Sequence, residues 1–174
     1  MISIDQMKYV IACIALLLVN SFCKGQTYIS VVPSLTNSAG TIAEKANFSI
    51  EVGKQWDVFS LGLDIGKTTF GKISGKDTSV YLEIRPNLNV FQQGKFTSTF
   101  TPGIGYVFNA KENLMTEVTY GIEYALNDLI HFNVYSGQYF YSGKGSASSV
   151  SFFGLSVIKY LSPSKGKPLI SKKL

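Results

Sequence analysis

From Val80 to Val90 every second residue is apolar or proline (Val80, Leu82, Ile84, Pro86, Leu88, Val90), and the residues between them are Tyr81, Glu83, Arg85, Asn87 and Asn89. A period of two with one apolar and one polar face marks a β-strand covered on one side. The alternation recurs at 28–35, 47–53, 58–67, 96–109, 114–126, 130–141 and 149–161, while no stretch after Gln26 keeps a helical period over ten residues. Together with 78–91, these segments predict eight strands.

The connections between them alternate in length. Long ones at 36–46 and 68–78 and a seven-residue one at 142–148 are separated by short ones at 54–57, 92–95 and 127–129, with only 110–113 shorter than the alternation asks. Short turns at one end and longer loops at the other are the mark of an up-and-down barrel that starts and finishes on its turn side. Pro33, Pro86 and Pro102 fall inside predicted strands, where a missing N–H weakens the ladder. Pro86 and Pro102 lie on neighbouring strands near the same depth, and a β-bulge is expected there.

The start of the chain changes what should be counted. Lys8 is followed by eleven apolar residues at 9–19 and by small residues at Cys23 and Gly25, a pattern that predicts a secretory signal peptide over 1–25 cleaved before Gln26. Cys23 also offers a lipidation site, although Phe22 stands where that motif takes a small residue. Cleavage leaves 149 residues without cysteine and a net charge of +4. Disulfides are thereby excluded, and so mild an excess of base gives no reason to expect nucleic acid as partner.

Alternation alone does not say which face is wet. A soluble barrel carries Lys and Glu over its polar face, whereas a membrane barrel turns the polar face into its lumen. Thirteen of the fourteen bases after Gln26 are lysines in connections, at strand ends or in the tail, and the single mid-strand base is Arg85. The polar faces hold Gly, Ser, Thr, Asn and isolated acids, small enough for a narrow eight-stranded interior, and Phe and Tyr cluster near strand ends on the apolar faces. With its signal peptide, its eight alternating strands and the closing segment SVSFFGLSVIKYL, the chain resembles the small outer-membrane β-barrel family, OmpA/OmpX-like in architecture. The resemblance implies an all-β, eight-stranded antiparallel transmembrane barrel over 26–161 in the bacterial outer membrane, with both termini periplasmic. A closed eight-stranded barrel is too narrow for a general diffusion pore, so a non-enzymatic, structural or surface-interaction role through the outer loops is expected. Here a basic tail at 162–174, whose KGKP favours disorder, follows the last strand where family members commonly end.

Candidate chemistry is sparse. Arg85 needs carboxylates in a low-dielectric lumen, and Asp64 and Glu83 lie at similar depth, so these three are expected to form a lumen ion network, either a structural plug or a gate or ion-binding point. His131, the only histidine, is expected near the periplasmic mouth with Glu123 diagonal to it and Glu51 at the same rim. Lys67, Lys72 and Lys76 make the second outer loop basic and could meet lipopolysaccharide phosphates. No cofactor, metal or catalytic site is expected, since the chain after Gln26 lacks CxxC, a His cluster or a phosphate-binding glycine loop. Two other readings stay open. A secreted lipocalin-like barrel binding a small apolar ligand would point Phe and Leu inward. A lipid-modifying outer-membrane enzyme would need a nucleophile beside His131.

Overall fold

The computed structural model describes residues 25–37, 45–68, 79–108, 114–142 and 147–162. The predicted signal peptide, Lys72 and Lys76, and most of the basic tail fall outside them. Eight strands follow in order: β1 (Gln26–Asn37), β2 (Lys45–Trp56), β3 (Phe59–Thr68), β4 (Ser79–Gln93), β5 (Phe96–Val107), β6 (Leu114–Ala125), β7 (Ile130–Ser142) and β8 (Ala147–Tyr160). Each is antiparallel to the next, and β8 pairs with β1 to close the barrel. We call the end where β1 begins and β8 finishes the lower end.

The stagger of the closed ladder can be followed residue by residue. From Trp56 the pairing runs to Phe59, Leu88, Phe100, Tyr120, Ser136, Phe153 and Leu35, and returns to β2 at Ala46, ten residues from its start. That stagger over eight strands corresponds to a tilt of roughly 40° and a backbone radius of roughly 8 Å. A strand of twelve residues then climbs roughly 30 Å, enough for a hydrocarbon core. β1 and β2, read as short from their alternation, each reach twelve residues because ladder pairing carries them past the last apolar position.

Two lower connections are two-residue turns, Asp57-Val58 and Gly94-Lys95, whose first residues have φ of 47° and 59°. A left-handed first residue suits the twist of a tight hairpin, and glycine at 94 adopts it without a Cβ penalty.

The apolar faces point outward. Val134, Leu155, Ile104 and Ile65 are 53–63% exposed, whereas Tyr81, Glu83 and Arg85 are at most 7% exposed. On β4 this places Val80 and Leu88 outside and Tyr81, Glu83 and Arg85 inside. A lipocalin-like barrel needs the reverse. Aromatic pairs stand at both ends. Trp56–Phe59 and Phe96–Tyr124 stand below, with Lys54 and Lys95 over the Trp56 and Tyr124 rings, and Tyr106–Phe108 stands above.

The interior corrects one expectation from composition. Besides small polar residues it holds a layer of large side chains toward the upper end, built from Tyr81, Val107, Met115, Tyr139, Tyr141, Val150 and Phe152. Tyr139 and Phe152 stack with centroids 4.1 Å apart. Inward apolar residues at the upper ends of β5 to β8 break the strict polar count of those faces, which is why alternation alone passes over them.

The prolines also act differently from expectation. Between β4 and β5 the ladder is broken at Pro86 and Pro102, but Ile84↔Ile104 and Leu88↔Phe100 keep one register across the gap. The register shift comes lower, between Asn89 and Phe91. Two prolines meeting across one ladder lack the N–H groups to pair but need no extra residue, so the gap is a loss of hydrogen bonds and not a bulge. A second gap occurs between β1 and β8, where the pairing skips Val32 and Pro33 with its register unchanged.

Candidate functional site in the barrel lumen

Three acids stand in one row across neighbouring strands. Glu51 of β2 is directly opposite Asp64 of β3, and Asp64 is directly opposite Glu83 of β4. Alternation makes all three inward, and like charges facing across a ladder repel. The row is tolerable only with compensation from another part of the wall.

Arg85, two residues below Glu83 on the same face, supplies it. Its Nη1 donates to Glu51 Oε2 at 2.7 Å and its Nη2 to Glu117 Oε1 at 2.8 Å. Both are ion pairs of buried side chains, at most 10% exposed. Thr119 also donates to Glu117 Oε1, and Tyr28 to Glu51 Oε1. Asp64 Oδ2 accepts from Tyr81 at 2.9 Å. Glu83 is 1% exposed, and neither of its carboxylate oxygens has a hydrogen-bond partner.

This arrangement redraws the expected network. Arg85, Asp64 and Glu83 do share the lumen, yet the guanidinium bonds to neither acid, choosing Glu51 and Glu117. Glu51 stands apart from the expected mouth cluster, because β2 continues to Trp56 and so lifts Glu51 to the middle of the wall. Glu117 is a partner that the alternation alone does not point to. The signal for it is Gly103, which sits opposite Glu117 on β5 and leaves no side chain between β4 and β6. Other lumen glycines work the same way. The space beside Gly62 is taken by Glu51, beside Gly66 by Tyr81 and beside Gly154 by Tyr135.

Below Arg85 lies a cavity of about 40 Å³, lined among others by Tyr28, Glu51, Arg85, Asn87, Asn133 and Tyr160. Its volume suits about three waters, and two polar atoms on its wall, Arg85 Nε and Asn133 Oδ1, lack protein partners. At the lower mouth His131 Nδ1 bonds to Glu123 Oε1, and the His131 ring packs edge-on to Tyr160 at 4.8 Å. No nucleophilic side chain is bonded to His131 among the described residues, and no group of three or more His, Cys, Asp or Glu there is placed to hold a metal ion. Lys67 lies exposed near the upper end of β3.

No protein-family model matches the chain, and no curated protein does. Solved structures do. Neisserial surface protein A covers 79% of this chain with 97% of its own, at TM-score 0.53 and 9% identity. The fold is that of the small outer-membrane β-barrels. The N-terminal β-barrel domain of Pseudomonas aeruginosa OprF covers 77% with 98% of its own, at TM-score 0.50 and 10% identity. A de novo designed protein, TMB2.3, reaches 0.55 over 82% of this chain and 100% of its own, at 13% identity. At such identity the likeness speaks for the shared architecture of this small barrel and not for a shared activity.

Proposed function

We propose that this chain is a non-enzymatic protein of the bacterial outer membrane, its short turns and both termini periplasmic and its longer loops outside, acting structurally or in surface interaction. The observation that carries this reading is the continuous outward apolar belt around a lumen filled at two levels, by the Arg85 network and by the Tyr139–Phe152 layer. A barrel filled in this way favours a scaffold for its loops over a diffusion pore. His131 engages Glu123 and packs on Tyr160, an arrangement that favours structural support over catalysis.

Lys67, with Lys72 and Lys76 after it in sequence, gives the outer side a basic segment suited to lipopolysaccharide phosphates. Fractionation tests the location: the protein should stay with outer membranes until detergent is added and should shift in gel mobility on heating. Solubility without detergent, with no heat shift, would refute it. Mass spectra of the host's lipid A with and without the protein test the non-enzymatic reading, which fails if a new lipid species depends on His131. Changing all three lysines to Gln should weaken retention on lipopolysaccharide vesicles at low salt.

A further inference from the structure

Charge in the middle of the lumen does not balance. Glu51, Asp64, Glu83 and Glu117 converge there against the guanidinium of Arg85, and the cavity below Arg85 lies on the Arg85–Glu51 side, with neither Glu83 nor Glu117 in its wall. Glu83 and Glu117 face each other over Gly103. A Cβ at that glycine would stand 3.0 Å from Glu83 Cδ and 3.1 Å from Glu117 Cβ, so the two side chains already fill this space. Both oxygens of Glu83 and Oε2 of Glu117 are buried without a donor. Ionised carboxylates only accept hydrogen bonds, and among the described residues no donor bonds these three oxygens.

A proton needs no cavity. We infer that Glu83 and Glu117 hold one proton between them, as a carboxylic acid bonded to a carboxylate, and that this proton is part of the folded barrel's core. The bond joins Glu83 to Glu117 Oε2, while Glu117 Oε1 keeps Arg85 and Thr119. The other ionisable groups around the Glu83–Glu117 pair are Asp64 on β3, Tyr81 and Arg85 on β4, Glu51 on β2, and Tyr135, Tyr139 and Tyr141 on β7, whereas β5 contributes only glycines at this level. Arg85 is already bonded to Glu51 and Glu117, and Tyr81 to Asp64.

Folding then takes up a proton that the unfolded chain gives away at neutral pH. The folded state binds more protons, so stability falls as pH rises, until the folded state loses the proton as well. The test combines infrared spectroscopy of detergent-solubilised protein, carrying carboxyl-labelled glutamate, with urea unfolding across neutral to alkaline pH. Wild type should show a protonated-carboxyl band at neutral pH that disappears in alkali. Its unfolding constant should rise by up to tenfold per pH unit over the same range. Glu83→Gln, which keeps a permanent donor to Glu117, should lack the band and lose that extra slope. Absence of the band in neutral wild type overturns the inference, as does its persistence in Glu83→Gln or an unchanged slope. Should the variant not fold, the wild-type band and its loss in alkali decide alone.

Discussion

Removing Arg85 is the most direct test of what holds the lumen together. Arg85→Ala takes away two buried charge-assisted bonds, of 2.7 Å and 2.8 Å, and leaves Glu51 and Glu117 without their counter-ion. Deleting one partner of a buried ion pair costs about 3–5 kcal/mol, mostly the penalty of the stranded charge. At about 1.4 kcal/mol per tenfold, the unfolding constant should rise by roughly 150-fold to 4,000-fold. Urea unfolding in lipid vesicles, read by the gel shift between folded and heat-denatured forms, measures it. A companion variant carrying Arg85→Met, Glu51→Gln and Glu117→Gln removes charge on both sides and should recover most of the loss. If Arg85→Ala stays within about 0.5 kcal/mol of wild type, or the companion is worse than the single variant, the network does not stabilise the barrel as argued.

Three further outcomes follow from the geometry, beside the pH dependence of the Glu83–Glu117 pair. Val134→Arg, at a site 59% exposed in the middle of β7, should cost about 2–4 kcal/mol when the barrel folds in vesicles; a cost under about 0.5 kcal/mol would mean that this face meets water. Phe152→Ala removes one half of the upper stack and should cost about 3–5 kcal/mol while raising single-channel conductance in planar bilayers, and unchanged conductance would show that this layer does not occlude the lumen. Gly103→Ala pushes a methyl group between Glu83 and Glu117 and should cost about 1–3 kcal/mol in the same unfolding assay, with no loss if the two side chains can give way.

Strand number, order and facing are legible in the alternation, because a barrel with one apolar and one polar face must repeat at period two along every strand. β4 shows it best: its apolar and polar residues separate into outside and inside as the pattern says. Partners inside the lumen are harder to read, since they depend on the stagger between strands, and an error of two residues in the end of one strand moves a side chain to another level. For β2 the difference is three residues, since the strand ends at Trp56 and not at Gly53, and Glu51 stands in the middle of the wall and not at the mouth. Glu117 reaches Arg85 across an intervening strand, a contact that nearest-neighbour register never lists and that an opposed glycine alone betrays. The two prolines show the same limit: sequence locates them, but whether their ladder slips or merely opens depends on both strands at once.

Those gaps have a mechanical consequence. One lies between β4 and β5 and the other between β8 and β1, so four strands separate them on either side. A hoop thinned at two opposite points behaves as two arcs, and its resistance to being prised apart comes from ties across the inside. Arg85 on β4 reaches Glu117 on β6, and Thr101 on β5 donates to Asn87 on β4 at 3.0 Å, both spanning the first gap. Tyr135 on β7 donates to the Pro33 carbonyl on β1 at 2.7 Å, spanning the second. Where prolines thin the backbone hoop, side chains in the lumen act as its cross-braces.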